Sequence, residues 1–189
     1  DGYFIFYLPK DIVSGDFYWI RKKGNRLVLV AADCTGHGVP GAFMSMLGIS
    51  FLDEIIEKEN VTDPSHILNM LRENIVVALK QADRESESKD GMDMCVVELD
   101  LSSRQLRYSG ANNSLYIVSD GMLEEITSDR MPVAIHEKME PFSLHSRTLQ
   151  AGTCLYLFSD GFADQFGGSD GKKYKYRPFK ELLLKNSHR

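Results

Sequence analysis

Two aspartates, Asp16 and Asp33, have a spacing that would let paired carboxylates bind a metal ion. Gly24-Asn25 lies between two strand-like segments and suits a two-residue hairpin turn. If that turn pairs Lys23 with Arg26, the same register places Asp16 directly opposite Asp33, with Cβ atoms about 5 Å apart. A four-residue loop would shift the pairing, and either aspartate alone would more simply be a turn or cap residue. Opposed, partly buried carboxylates repel, so the pair predicts a shared proton or a hard cation, Mg²⁺ or Mn²⁺.

The segment 33–42, with the sequence DCTGHGVPGA, predicts an anion site next to this pair. It connects an apolar strand to a helix through three closely spaced glycines. Gly36 and Gly38 let the backbone turn sharply and approach a ligand, and the free N–H groups at a helix start suit phosphate. A second acidic strand end lies at Asp160, just before a glycine, and Asp164 follows four residues later.

The elements that must position these side chains are hairpins with two adjacent helices inserted. Helical spacing begins at Pro40, and a second helix begins at Asp63-Pro64 with Asp63 as its N-cap. The unbroken apolar run 27–32 predicts a strand covered on both faces. This order predicts an α+β domain of antiparallel sheets with helices packed outside. The strand-like segments are 3–8, 12–20, 27–32, 94–101, 105–109, 115–118, 123–126, 142–149 and 153–158; 83–90 is a charged loop and 179–184 a last helix.

Composition and charge exclude several classes of function. The chain has 189 residues, which fits a single domain, and its net charge of -5 argues against a nucleic-acid partner. No apolar stretch is expected to reach the roughly 18 residues of a membrane span, and none resembles a signal peptide. The three cysteines are Cys34, Cys95 and Cys154, and they show no metal-ligand spacing. This predicts free thiols in a reducing cytoplasm and excludes sulfur-bound zinc.

Three motifs occur in a characteristic order: IVSGDFY at 12–18, ADCTGHGVPGA at 32–42 and FSDG at 158–161. Together they resemble the bacterial branch of the PPM (type 2C) phosphatases, which includes stage II sporulation protein E (SpoIIE) and the RsbU-like stress phosphatases. The resemblance covers nearly the whole chain. It implies an αββα fold, two stacked antiparallel sheets flanked by helix pairs, and a protein serine/threonine phosphatase that uses metal-activated water.

The same resemblance implies a set of site residues. Two manganese or magnesium ions would be bridged by Asp16 and Asp33, Cys34 would contribute its backbone carbonyl, and Asp160 would bind one ion. Three further residues are of second rank, because each is also explained as a turn or solvated residue: Asp93, Asn112 and Asp164.

Two departures from the family pattern leave questions open. Many eukaryotic relatives have a histidine, a proposed general acid, at the position of Thr35; here His37 lies four residues after Asp33, and it serves either as an acid or in shaping the loop. The family also has a further metal-binding aspartate near its C-terminal end, and nothing after Asp170 fits it. We therefore interpret residues 1–189 as one partial domain, truncated at both ends, with weak activity or none and with exposed strand edges that favour dimerisation.

The resemblance also implies partners. The substrate would be phosphoserine or phosphothreonine on a STAS-domain anti-sigma-factor antagonist in the cytoplasm, and an upstream sensor domain would precede the phosphatase. One alternative is an ATP-binding fold of the histidine-kinase and gyrase type, but that fold needs an upstream helix where this chain has a hairpin. The other is a non-catalytic binding module, which the presence of Asp16, Asp33 and Asp160 disfavours. No membrane contact is expected.

Overall fold

The computed structural model describes residues 2–58, 62–81, 90–169 and 171–187, which stack as helix, sheet, sheet and helix. The strands are β1 (Phe17–Lys23), β2 (Arg26–Cys34), β3 (Met92–Asp100), β4 (Gln105–Ala111), β5 (Leu115–Ser119), β6 (Met122–Ile126), β7 (His145–Thr148), β8 (Cys154–Tyr156), β9 (Phe166–Gly167) and β10 (Lys172–Lys173). The helices are α1 (Gly38–Asp53), which continues into a π-helical turn (Glu54–Lys58), α2 (Pro64–Ala78) and α3 (Tyr176–Asn186). The larger sheet has the order β1-β2-β3-β4-β7, the smaller has the order β6-β5-β8, and β9 and β10 form a separate hairpin.

The first hairpin has the predicted register. Gly24 takes a positive φ of 59°, and the antiparallel ladder runs from the pair Lys23–Arg26 to the pair Phe17–Ala32. A two-residue turn with positive φ matches the twist of the strands that it joins. The next opposed positions, just beyond the end of the ladder, are those of Asp16 and Asp33.

The strand β3 is buried on both faces, because its alternate side chains enter two different cores. Met94 and Val96 pack with α1 and α2, whereas Cys95 and Val97 pack with the smaller sheet. The strand β2 follows the same alternation, as its unbroken apolar run predicts. Each fully buried side chain of this size contributes about 1.5–3 kcal/mol, so these two cores hold the layers together.

The outer face of the smaller sheet is covered by α3 through an aromatic cluster. The ring of Phe158 lies 4.5 Å from that of Tyr116 and 5.2 Å from that of Phe179, centroid to centroid. Lys180 adds an ion pair of 2.6 Å with Glu125 on β6. The described residues thus place a helix pair on one side of the sandwich and α3 on the other.

Several boundaries differ from the predicted ones. Residues 3–8 form no strand and are exposed, because no neighbouring strand pairs with them and an apolar, aromatic run alone does not make one. The first strand begins at Phe17 and not at residue 12, since the Ser14 hydroxyl accepts a bond from the Asp16 N–H and holds a turn there. The strands predicted at 142–149 and 153–158 shorten to β7 and β8, and α3 begins at Tyr176. The charged loop predicted at 83–90 lies outside the described residues except for Asp90.

The expectation that no apolar segment reaches membrane-spanning length is wrong. The continuous helix Gly38–Lys58 has 21 residues and a mean hydropathy of 1.4, enough to cross a membrane by length and composition alone. Such a helix is weak evidence of a span, and here Met44, Leu52, Ile55 and Ile56 pack in the core against the larger sheet. Only 39% of its most apolar stretch is buried, and Phe43 and Met46 are exposed, so the helix is a core element on one face only.

The N-cap of α2 provides a test of stability. Asp63 accepts bonds from the Ser65 hydroxyl (2.7 Å) and the His66 N–H (3.0 Å), and it pairs with Arg107 at 2.9 Å. Burial alone would raise the pKa of Asp63, but these partners hold it below its ordinary value. We expect Asp63→Ala to lower the free energy of unfolding by about 1–2 kcal/mol, and Asp63→Asn, which can still cap, to lower it less.

The pH dependence of stability separates the contribution of the Asp63 charge from that of its hydrogen bonds at the N-cap. The stability that the Asp63 charge supplies is complete above the unfolded pKa of about 3.9 and is lost as pH falls through the lower folded pKa. The difference between wild type and Asp63→Asn, measured by urea unfolding, should therefore shrink below about pH 4. A constant difference from pH 7 to pH 3 would show that the charge has no part in it.

Candidate metal centre

Three aspartates from distant parts of the chain meet at one end of the sandwich. Asp33 is the penultimate residue of β2, Asp16 directly precedes β1, and Asp160 follows β8. The carboxyl group of Asp33 lies close to those of Asp16 and Asp160. Burial raises the pKa of Asp33 to about 8, and the negative charges of Asp16 and Asp160 act in the same direction. Such a cluster holds either a proton or a cation at neutral pH.

Neutral hydrogen bonds, and not positive charges, surround these carboxylates. Ser159 Oγ donates to Asp16 Oδ2 at 2.6 Å and so ties Asp16 to the turn that carries Asp160. Within the described part of the chain, no lysine, arginine or histidine forms an ion pair with Asp16, Asp33 or Asp160. No cationic side chain of these residues is therefore in direct contact with the three carboxylates.

Two of the second-rank residues also lie at this end. The β2–β3 register pairs Asp33 with Asp93, and Asn112 Nδ2 donates to Asp93 Oδ1 at 2.8 Å. Burial raises the pKa of Asp93, the charge of Asp160 adds to that rise, and the bond from Asn112 opposes it. Asp164 differs, because its carboxylate pairs with Lys173 at 2.6 Å and only its N–H reaches the Asp160 carbonyl, at 2.9 Å.

The glycine-rich loop packs against the residues that precede Asp16. Gly36 and Gly38 have φ values of 85° and 63°, in the region that favours glycine. A methyl group on Gly15 would lie 2.8 Å from the Gly36 carbonyl oxygen, and one on Gly41 only 2.6 Å from it. The loop can therefore take this position only because Gly15, Gly36 and Gly41 have no side chains at the point where their chain segments meet.

The two candidate proton donors of this loop have different surroundings. The Thr35 hydroxyl lies 3.2 Å from the carbonyl of Gly91 and accepts from its N–H at 3.0 Å, so it fixes the loop to the start of β3. His37 is the N-cap residue of α1, without a side-chain cap bond, and its Nδ1 lies 3.3 Å from Asp11 Oδ2. Its side chain is 76% exposed. Thr35 thus has a structural role, and His37 faces solvent at the loop.

Cys34 is suited to the role that the resemblance implies, a backbone ligand and not a thiolate. Its side chain is buried, and burial, followed by the charges of Asp33 and Asp16, raises the pKa of its thiol to about 12. Its carbonyl oxygen lies 3.1 Å from the point where a Cβ on Gly15 would be. All three cysteines are free, as predicted.

The donor set fits a hard divalent cation. Every candidate ligand is an oxygen atom, and positive charge would relieve the repulsion that raises the pKa of Asp33. In the described ranges, no group of three or more His, Cys, Asp or Glu side chains has the arrangement of a metal site. The fit to Mg²⁺ or Mn²⁺ therefore depends on the oxygen donors, since magnesium keeps several water ligands and binds through one or two carboxylates.

Ser159 and Tyr176 were not predicted as part of this centre. The FSDG motif contains Ser159, so its contact with Asp16 could have been suspected from the neighbouring Asp160. The ring of Tyr176 lies 6.4 Å from that of Phe158, two residues before Asp160. Burial and then the charges of Asp160 and Asp164 raise the pKa of Tyr176. No spacing in the sequence indicates that placement.

Comparisons with known proteins give one consistent result. The family model described as "Stage II sporulation protein E (SpoIIE)" matches residues 23–189. The SiaA-PP2C domain of Pseudomonas aeruginosa is 34% identical, with a TM-score of 0.85 and coverage of 96% of this chain and 70% of that one. A search of curated proteins found no match.

Two more distant structures share the fold. The PP2C phosphatase domain of SpoIIE from Bacillus subtilis, solved with a fragment of its regulatory domain, is 17% identical, with a TM-score of 0.68 and coverage of 94% of this chain and 54% of that one. RsbX, solved in complex with magnesium, is also 17% identical, with a TM-score of 0.60 and coverage of 93% and 81%. The antiparallel sandwich is therefore the fold that these proteins have in common.

Proposed function

The chain belongs to the SpoIIE family of PP2C-type protein phosphatases, and from this premise we propose that it dephosphorylates serine or threonine of a bacterial signalling protein at Asp16, Asp33 and Asp160. The observation that supports this site is the closeness of the half-buried Asp33 to two other carboxylates. The fold is not that of the ATP-binding domains of histidine kinases and gyrases, because the sheets form the PP2C-type sandwich.

We propose that the centre takes two manganese or magnesium ions, with the Cys34 carbonyl as an additional ligand. When bound, these ions would lower the pKa of a water molecule and neutralise charge that develops on the phosphoryl group. Asp16 and Asp33 would hold the ions between β1 and β2, and Asp160 would complete the set from β8. Asp93, kept in place by Asn112, and Asp164 are secondary candidates for a further ion.

The remaining groups of this end would handle the phosphoryl group. Gly36 and Gly38 allow the main chain to approach an anion closely, and the N-terminus of α1 follows directly. His37 stands exposed on the same loop with Asp11 at its Nδ1, so its other ring nitrogen is available to a substrate.

Substrate and context are proposed from the family. We expect a STAS-domain antagonist as the phosphoprotein, an upstream sensor domain, and a cytoplasmic location. Residues 1–189 would act as one domain. The strands β1 and β7 are the edges of the larger sheet, which leaves a dimer through strand pairing as a further possibility that light scattering can measure.

Manganese is expected to stabilise the chain and to support hydrolysis of p-nitrophenyl phosphate and of phosphoserine peptides, at a low rate because the sequence predicts weak activity for residues 1–189. At a concentration of 100 Kd, a ligand adds about 2.7 kcal/mol, which for a domain of this size corresponds to roughly 5–10 °C in Tm. Because its pKa is raised to about 8, Asp33 holds a proton at neutral pH. The cation must displace this proton when it binds. The apparent affinity for manganese should therefore rise from pH 6 to pH 8.

The outcomes separate the possible functions. Manganese-dependent hydrolysis that EDTA abolishes supports the proposal. A manganese shift in Tm without hydrolysis of either substrate would indicate the non-catalytic module. Rapid hydrolysis in EDTA would contradict the metal site.

A further inference from the structure

A short basic segment lies next to the aspartates. Residues 172–177, with the sequence KKYKYR and here named the basic strip, have four cationic side chains in six positions, although the chain as a whole has a net charge of -5. All six residues are exposed. Core packing therefore does not account for this concentration of charge.

Hydrogen bonds fix the basic strip alongside the residues that follow Asp160. The N–H of Tyr174 donates to the Gln165 carbonyl at 2.8 Å, and the N–H of Lys175 donates to the Ala163 carbonyl at 2.6 Å. The strand pair β9–β10 extends this contact along the chain. The strip is thus held within a few residues of a proposed metal ligand.

Ring contacts fix the tyrosines to the same turn. The ring of Tyr174 lies 5.7 Å from that of Phe162, and the ring of Tyr176 lies 6.4 Å from that of Phe158, centroid to centroid. These two phenylalanines flank Asp160 in the sequence. Each tyrosine is partly exposed, with 37% of the residue accessible for Tyr174 and 43% for Tyr176. Both can therefore contact a chain that lies across the site.

The backbone at Lys175 is strained. Its φ of 70° lies in the left-handed region, which costs a residue other than glycine about 1 kcal/mol or more. Lys175 is the N-cap residue of α3, but its side chain makes no cap bond. A glycine would take this conformation without strain. The backbone strain is therefore tolerated together with the lysine side chain, which indicates that this side chain has a use at the surface.

The existing ion pairs of the strip are weak enough to exchange. Lys173 pairs with Asp164, and Arg177 pairs with Glu181, with side chains that are 43% and 44% exposed in the first pair and 92% and 65% in the second. Exposed pairs of this kind contribute little net stability. Carboxylates of another chain can replace these partners at small cost.

The negative charge of the aspartate cluster explains why positive charge beside it would help an acidic substrate to bind. A phosphoprotein segment with acidic neighbours would be repelled by the carboxylates of Asp16, Asp33, Asp93 and Asp160 unless positive charge lay next to them. Cations held by these aspartates would neutralise the phosphoryl group, whereas the basic strip is placed to attract the residues beside it. Complementary charge of this kind determines which partner binds and how fast it associates.

We propose that the basic strip binds acidic side chains beside the phosphoserine or phosphothreonine, so that the site prefers substrates with Asp or Glu flanking the phosphorylated residue. The strip then acts as the docking surface of the substrate, with the tyrosine rings beneath the bound segment. This inference rests on the proposed phosphatase function and specifies the class of its substrate.

The test compares two phosphoserine peptides that differ only in flanking residues, Glu in one and Gln in the other, in the presence of manganese. We expect kcat/KM to be about tenfold higher for the acidic peptide at low salt and the preference to fall at 0.5 M NaCl, where charges are screened. The variant Lys175→Gln/Arg177→Gln should reduce that ratio to about twofold or less. A matched variant with two exposed charges removed elsewhere, Lys22→Gln/Lys138→Gln, should keep the ratio of the wild type.

A charge-reversed variant excludes a merely structural explanation. Lys175→Glu/Arg177→Glu should invert the preference, so that a peptide with Lys flanks becomes the better substrate; a loss of structure would lower both rates together. Equal kcat/KM for both peptides in the wild type, or an unchanged ratio in the strip variants, would overturn the inference. No hydrolysis of any substrate by the wild type would instead contradict the proposed function itself.

Discussion

Replacing Asp33 with asparagine is expected to abolish hydrolysis and, in EDTA, to make the protein more resistant to heat. Asp33 is the carboxyl group that lies close to both other aspartates, and its pKa of about 8 shows that its charge is disfavoured in the fold. An acid with a raised folded pKa destabilises the fold increasingly as pH rises from its unfolded value of about 3.9 toward its folded value. Asparagine has the same shape but no charge, so this penalty disappears.

The two effects of Asp33→Asn have opposite signs and are measured separately. In EDTA, the Tm of the variant should exceed that of the wild type, and the gap should widen from pH 5 to pH 8. In manganese, the metal-dependent rise in Tm should vanish, and kcat/KM should fall at least about 10³-fold, which corresponds to several kcal/mol of lost charge stabilisation.

The control for this variant is Asp120→Asn, the same chemical change at an exposed turn with a positive φ of 50°. Asparagine tolerates that conformation, so Tm, manganese response and activity should match those of the wild type. If Asp33→Asn retained the manganese response, the carboxylates would not form a metal centre.

Replacing Gly41 with alanine should be destabilising, although alanine normally favours a helix. In an ordinary helix interior the change from glycine to alanine gains up to about 1 kcal/mol. Here the new methyl group would lie 2.6 Å from the Gly36 carbonyl oxygen and 3.1 Å from the Gly15 Cα, both backbone atoms. We expect a loss of about 2 kcal/mol in the free energy of unfolding, because the loop or the helix must move.

The same displacement should reduce activity, because the moved loop carries Gly36 and adjoins Asp33. A shift of about 1 Å in a positioning segment can lower kcat/KM roughly 10²-fold. The matched control is Gly167→Ala in β9, where the added methyl group would have no atom within 4 Å. A Gly41→Ala protein as stable and active as Gly167→Ala would contradict the close contact of the three segments.

The residues of the candidate metal centre could not all be predicted from the sequence in the same way. Asp16 and Asp33 follow from one local hairpin register, because a two-residue turn fixes every pair in the ladder. The pairing of Asp33 with Asp93 could not be derived in that way, since two helices and a long connection separate β2 from β3. The proximity of Asp160 came from a family motif and not from spacing.

The limits of prediction in the fold have a similar cause. The apolar run at 3–8 has the composition of a strand, but pairing depends on a neighbour that the local pattern does not specify. The helix Gly38–Lys58 reads as a membrane segment by length, and only its contacts with the larger sheet identify it as a core element. The basic strip is held beside the residues that follow Asp160 by backbone hydrogen bonds, and Tyr176 by a ring contact with Phe158, neither of which leaves a periodic signal in the sequence.

The double burial of β3 links the precision of the centre to the packing of the whole domain. A slip of β3 by one residue against β2 would exchange the side chains that enter the two cores and would turn Asp93 to the opposite face. The alignment of the carboxylates therefore depends on β3, the strand whose side chains are buried in both cores. Changes in the exposed loops around this end of the sandwich would therefore leave the positions of the carboxylates unaltered.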